Sequence, residues 1–388
     1  MVRGILFTIR GMYMPGLRSD VDPDGLLEYS VVFTDRSLNH MSGSFQEIMR
    51  ELMGELAGVY GAETVTFVPG GGTYAMEAVA RQFVQGQPCL VLRNGWFSFR
   101  WTQIIDAGGL SDQAQVLKAR QTRPEAQAPF QPAPIEDVVG AIEQNRPAVV
   151  FAPHVETASG ILLPDAYLKA VADAARKVDA LFVLDCIASG ALWVDMAEIG
   201  VDVLISAPQK GWSGSPCAGI VMMNGRAQTR LESTQSSSFA LDLKKWREIA
   251  LAYENGGHAY HATMPTDGLR QLHSTLTETR TFGFERARDA QVELGLRVRE
   301  LLQQHGYPSV AAPGFEAPGV VVSYTDDAGL AGRFAQAGLQ IAVGVPLQCD
   351  EPDGFQTFRI GLFGLDKLAD VPRTVTHLAD ALAGFEPG

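Results

Sequence analysis

The sequence predicts an α/β fold, in which a mainly parallel sheet is covered by helices on both faces and followed by a smaller C-terminal α/β lobe. Three observations predict it. Short apolar runs, TVTFV (64–68), PCLVLRN (88–94), AVVFAPH (148–154), ALFVLDC (180–186) and DVLISAP (202–208), recur along the chain with room for helices between them. Strands joined through helices pair in parallel, and a parallel sheet must be covered on both faces. The chain has 388 residues, 46% hydrophobic and 19% charged, more than one compact core organises, so a second lobe is expected.

Each element has its own signal. Residues 1–30 form an irregular arm containing Gly and Pro. SFQEIMRELMGELAGVYG (44–61) places apolar residues at helical spacing and stops at Gly61, which predicts an amphipathic helix. The strand TVTFV is followed by a Gly cluster and the helical stretch AMEAVARQFV (75–84), after which the remaining strands follow in turn. The segment 118–134, rich in Pro, Gln and Ala, reads as a surface connection, and residues 236–246 mix polar and apolar side chains without a clear period. A long helical stretch around 280–305 precedes GVVVSYT (319–325), LQIAVG (339–344), TFRIGLFG (357–364) and a final helix at 374–385. The expected division is an arm at 1–30, a large domain at 31–280 and a small domain at 281–388.

Composition narrows the function classes. A formal net charge of -13, with no basic run interleaved with aromatics, gives little support for a nucleic-acid or anionic-membrane surface. Cys89, Cys186, Cys217 and Cys349 are far apart and lack metal-ligand spacing, so neither a zinc site nor a disulfide framework is indicated. The first residues lack an apolar leader core, and no apolar stretch approaches the roughly 20 residues that span a bilayer. A cytoplasmic protein acting on a small molecule is expected.

Three features fall at the C-terminal ends of expected strands, where open α/β sheets bind ligands. PGGGTYAMEAVA (69–80) puts glycines between strand and helix, so the backbone N–H groups of Gly71, Gly72 and Thr73 can meet an anion. The same glycines also suit a plain strand-to-helix turn. Asp185 ends a near-continuous apolar strand, where a buried carboxylate calls for a facing cation. A helix cap or a surface turn is the alternative. Lys210 follows an apolar strand into a loop of small residues, where it is either desolvated and nucleophilic or simply solvated.

The order GGGT (70–73), NGWFSFRW (94–101), HVETASG (154–160), LDCIASG (184–190), SAPQKGW (206–212), AYHATMP (259–265) and FRIGLFG (358–364) resembles the class V aminotransferases, the group containing alanine-glyoxylate and serine-glyoxylate aminotransferases. The likeness extends from about Ser42 to the C terminus and implies the fold type I of pyridoxal-phosphate-dependent transferases, with a mainly parallel seven-stranded sheet. It further implies that Lys210 carries pyridoxal 5'-phosphate as a Schiff base and acts as general base, and that Asp185 pairs with the pyridine nitrogen. Phe97 would stack on the ring, with Trp96 and Phe99 as neighbours able to take that role, and Ile187 would pack on the opposite face. Gly71, Gly72, Thr73 and Gln209 would receive the phosphate together with Tyr260 and Thr263 of a second subunit, which implies a homodimer. Thr157 would lie near the phenolic oxygen, supported by Glu156 and His154. Arg359 would clamp the substrate carboxylate, a structural salt bridge being the alternative.

The resemblance also has departures. Many relatives have His-Arg-Ser where this chain has His40-Met41-Ser42, the arm 7–20 lacks a Gly-Pro-rich entry, and Pro208 stands where small polar residues are common. Transfer of an amino group from an alanine- or serine-like donor to glyoxylate or pyruvate, by a ping-pong cycle, is the expected activity. A 2-aminoethylphosphonate-pyruvate transaminase would need a second anion-binding group, for which Arg10, Arg18, Arg36 and Arg100 are candidates. A cysteine desulfurase or C-S lyase using Cys349, and a non-catalytic cofactor-binding protein, are the further alternatives.

Overall fold

The computed structural model describes residues 21–23 and 25–385. Its main sheet has seven strands: β1 (Thr64–Pro69), β2 (Cys89–Arg93), β3 (Ala114–Lys118), β4 (Val149–Pro153), β5 (Leu181–Asp185), β6 (Val203–Ser206) and β7 (Ala218–Met223). They lie in the order β1-β7-β6-β5-β4-β2-β3. β7 is antiparallel to both neighbours, and the other adjacent pairs are parallel. The five expected strands are all present. β3 and β7 are additional: β3 is a half-buried edge strand of mixed polarity, and β7 directly follows the Lys210 loop with no intervening helix.

Every residue of β2, β4, β5, β6 and β7 is buried, as a sheet covered on both faces requires. Helix α1 (Gly43–Tyr60) starts where Ser42 Oγ accepts from Phe45 N and ends at Gly61, whose left-handed φ of 61° a side chain would resist. Its Phe45, Met49, Leu52 and Leu56 face the core. Helices α2 (Gly72–Phe83) and α3 (Trp96–Gly108) follow β1 and β2, and Trp101 stacks on Phe151 of β4 at 4.2 Å between centroids.

The helical stretch expected around 280–305 is two helices, Thr266–Phe282 and Phe284–Gln304, because Gly283 takes a φ of 99° and breaks the backbone ladder. The second helix packs with residues such as Val321, Phe358, Ile360 and Leu378 in a core of their own. There β8 (Val320–Tyr324), β9 (Ala342–Val343) and β10 (Thr357–Gly361) form an antiparallel sheet in the order β8-β10-β9. The segment at 236–246 resolves into a cap: Asp242 accepts from Lys244 N and Lys245 N, starting the helix Leu243–Glu254. The Pro/Gln-rich connection is less superficial than its composition suggests, since buried Phe130 donates to Val310 O and accepts from Ala312 N.

Candidate active site

Residues Pro153, Asp185 and Ile205 lie side by side in the register of β4, β5 and β6, so the loops leaving these strands share one edge of the sheet. The Gly cluster stands close by, at the start of α2. Gly71 O accepts from Tyr74 N and Ala75 N, which leaves the N–H groups of Gly72 and Thr73 ahead of the first intrahelical donor. A Cβ on Gly71 would meet nothing within 4 Å, whereas one on Gly72 would lie 2.5 Å from Ile187 Cδ1. The cradle is therefore open at Gly71, and Ile187 can pack here only because residue 72 has no side chain.

Asp185 is 7% exposed. Burial pushes its carboxyl up to about 7; the bond from Ile187 N at 2.9 Å opposes this, the Glu156 charge adds to it and the Arg100 charge opposes it. A facing cation was expected from the sequence, yet among the described residues no basic side chain forms an ion pair with Asp185. The site thus holds a carboxylate that is costly to ionise until a positive group is brought to it.

Lys210 follows β6 and is half-buried, with its Nζ 5.2 Å from the centre of the Phe363 ring. Burial, and then the Arg359 charge, lower its pKa. A larger share of free amine at neutral pH follows, which is what nucleophilic addition to a carbonyl needs.

Phe97 lies in the first turn of α3, which Glu156 ties down. This fully buried carboxylate accepts from Phe97 N and Ala158 N on one oxygen, and from Ser98 N and Ser98 Oγ on the other. Gly95 is required beside it, since a Cβ there would lie 2.8 Å from Glu156 Cγ. Two guanidinium groups lie near the Phe97 ring: that of Arg100 at 5.1 Å from the centroid and that of Arg359 at 5.7 Å. Trp96 instead contacts Phe99, and Phe99 also carries the Arg93 guanidinium at 4.6 Å.

Arg359 stands on β10, where burial lowers its pKa and the Glu156 charge opposes the shift. Its Nε and Nη2 donate to Val343 O at 3.1 and 3.0 Å, and no described carboxylate pairs with it. The outer fork, two hydrogens of Nη1 and one of Nη2, stays free for a planar carboxylate.

Gln209 has a buried Oε1 without a hydrogen-bond partner among the described residues, a costly arrangement that a further donor would relieve. Thr157 is half-buried in the turn after Glu156. His154 is buried; its Nδ1 lies 2.7 Å from Ser189 Oγ, its N–H donates to Asp185 O, and burial lowers its pKa to about 4, so it supports the strand end as a neutral ring.

The remaining expectations fall outside this group. Tyr260 and Thr263 are exposed, with hydroxyls 3.3 Å apart, and no described polar contact joins them to Lys210. Arg36 is exposed, and Arg10 and Arg18 lie outside the described residues. The alternative built on Cys349 fails physically. The thiol is 4% exposed, bonds to Arg93 O at 3.3 Å, and is pushed up to about 12, chiefly by burial, which disfavours the thiolate that sulfur chemistry needs. Pro208 closes the Lys210 loop by accepting from Gly214 N at 2.9 Å.

An open amide cradle, a buried carboxyl near neutrality, an aromatic face and a desolvated amine form a donor set that fits a phosphorylated pyridine aldehyde. Comparison with known proteins agrees. The profile of the family described as aminotransferase class-V matches residues 26–322. A 2-aminoethylphosphonate-pyruvate transaminase of Burkholderia ambifaria (strain MC40-6) is 28% identical over 361 residues, which cover 90% of this chain and 92% of its own. A soluble hydrogenase small subunit of Synechococcus sp. (strain PCC 6716) is 26% identical over 362 residues, 90% of each chain. An alanine-glyoxylate aminotransferase from Nostoc sp. superposes with a TM-score of 0.75 at 23% identity, covering 88% of this chain and 87% of that one, and so shares the fold. The chain belongs to the class V aminotransferase family and has the fold of type I pyridoxal-phosphate-dependent transferases.

Proposed function

We propose that the protein moves an amino group from a small donor resembling alanine or serine to glyoxylate or pyruvate, in a ping-pong cycle with pyridoxal 5'-phosphate held on Lys210. The observation that carries this reading is the pairing at one sheet edge of a half-buried amine of lowered pKa with a buried carboxyl pushed up to about 7. When bound, the cofactor supplies an electron sink for the pair left on the substrate Cα after deprotonation. The chain supplies the rest. Asp185 would keep the ring nitrogen protonated, and Lys210 would serve as the base that takes the proton from the substrate Cα and gives it back. Phe97 and Ile187 would pack against the ring, and Thr157 would supply a hydroxyl to its polar substituent. The amide groups of Gly71, Gly72 and Thr73, with Gln209, hold the phosphate, and the free fork of Arg359 fixes the donor carboxylate.

A homodimer completes the site in this reading, with Tyr260 and Thr263 reaching the phosphate of the partner. Leu26, Leu27, Tyr29 and Val31 support it, being 62% exposed or more and needing cover in water. The division into arm, large and small domains at about 30 and 280 follows the same reading. A cytoplasmic setting accords with four free cysteines and with no described helix long and apolar enough to cross a membrane.

Borohydride treatment of the yellow protein followed by peptide mapping tests the covalent link: Lys210 is expected to carry the label, and an unlabelled Lys210 rejects the proposal. Adding amino compounds singly and following loss of the yellow absorbance then identifies the donor.

A further inference from the structure

Arg100 was a candidate for a second substrate anion, but its hydrogen bond runs to the Gly cluster at the start of α2. It follows Phe97 by three residues on α3, so both side chains share a helix face. Its guanidinium lies over the Phe97 ring at 5.1 Å and reaches on to donate from Nη1 to Thr73 Oγ1 at 2.8 Å. Thr73 is the second residue of α2, beside the open position at Gly71. Because the Thr73 oxygen accepts from Arg100, its own O–H is free to donate into the cradle. The guanidinium spends one of its five N–H donors on this bond and forms no ion pair with a described carboxylate. A half-buried cation in no ion pair among the described residues, hydrogen-bonded to a residue at a helix start with free amides, can take an anion at that place.

We propose that Arg100 belongs to the anion site of the cofactor, orienting the Thr73 hydroxyl and neutralising the phosphate, while Arg359, held by Val343 O, serves the substrate carboxylate. This division rests on the proposed cofactor. It gives the two guanidinium groups different ligands although they touch the same ring. It also means that Arg100 does not select donors that carry a second anion.

The test compares binding of pyridoxal phosphate and of pyridoxal, which lacks the phosphate, by protein stripped of cofactor, with inorganic phosphate as competitor. R100M is expected to weaken pyridoxal phosphate binding roughly 10- to 100-fold, the range of a lost charged hydrogen bond, and to leave pyridoxal binding nearly unchanged. R100K should fall between, keeping the charge without the fork. Thr73→Val added to R100M should cost less than Thr73→Val alone, because the two groups act together. If R100M melts below the assay temperature, R100K and Thr73→Val decide by the same ratio. An unchanged ratio of the two affinities overturns the proposal, as does a variant whose only defect is a raised KM for donors bearing a phosphonate or a second carboxylate. Failure of the wild-type protein to bind pyridoxal phosphate at all rejects the underlying function instead, so the two failures are distinct.

Discussion

The sheet edge around Asp185 and Lys210 and the segment around Tyr260 and Thr263 treat their polar groups in opposite ways. At the sheet edge, burial shifts pKa values and each side chain is held by backbone: Asp185 by Ile187 N, Glu156 by α3, Arg359 by Val343 O. At 260–263 the hydroxyls are exposed and bond to each other. One region is preorganised by a single chain and is therefore electrostatically strong. The other has exposed hydroxyls whose one described polar contact is with each other, and the proposed dimer would give them a ligand.

Breaking the preorganised region should have the largest effects. Lys210→Ala is expected to lower the rate of the first half-reaction by roughly 10²–10⁴-fold, read by stopped-flow loss of the yellow absorbance, with external methylamine restoring part of it. An unchanged rate would remove the general base from the scheme.

Asp185→Ala and Asp185→Asn should cripple the chemistry more than cofactor binding, since in the proposed scheme the carboxylate acts on the ring nitrogen and other residues hold the phosphate. The pH dependence isolates the group. The folded protein without cofactor keeps a proton on Asp185 that the unfolded chain releases, because folding raises the pKa from 3.8 to about 7. This contribution to stability is present at low pH and is lost as pH rises through that window. Cofactor binding should therefore raise Tm more at pH 8 than at pH 5, and Asp185→Asn should flatten the difference. An equal increment in wild type and variant would show that no cation reaches the carboxylate.

Arg359→Met should raise KM for amino-acid donors roughly 10- to 100-fold, the cost of a charged hydrogen-bond pair, with a smaller effect on amines lacking a carboxylate. It should also raise the pKa of Lys210, because the Arg359 charge helps to lower it. A pH titration of aldehyde addition to Lys210 measures this.

The smallest effect is expected in the exposed region. Tyr260→Phe and Thr263→Ala each remove a neutral donor, so cofactor affinity should fall only a few-fold to about tenfold, with kcat preserved. Mixing Tyr260→Phe chains with an excess of Lys210→Ala chains should return the cofactor affinity of the one Lys210-bearing site per heterodimer to the wild-type value if these residues cross the interface. No restoration at any mixing ratio would place them in the site of their own chain.

Strand ends were the legible part of the site. An apolar run announces a buried strand, and a charged residue at or just past its end marks a candidate for the ligand side, which is how Asp185 and Lys210 entered the candidate site. Arg359 and Phe97 came from motif resemblance, and their surroundings did not. Glu156 was expected only to support a turn, yet it accepts four hydrogen bonds, three of them from residues 58 or 59 positions away, a distance over which no local pattern acts. Phe363, under the Lys210 ammonium, was hidden within a motif singled out for its arginine.

What the sequence determined by itself was local: the alternation of strands and helices, the glycines at the start of α2, and the family. Tertiary structure decided which neighbour acquires which role. It brought two guanidinium groups to the Phe97 ring, turned Arg100 toward Thr73, and closed off a thiol at Cys349 that composition had left open. The physical reason is range: periodicity and turn chemistry act over a few residues, whereas burial and charge-charge effects depend on which distant segments the packed sheet brings together.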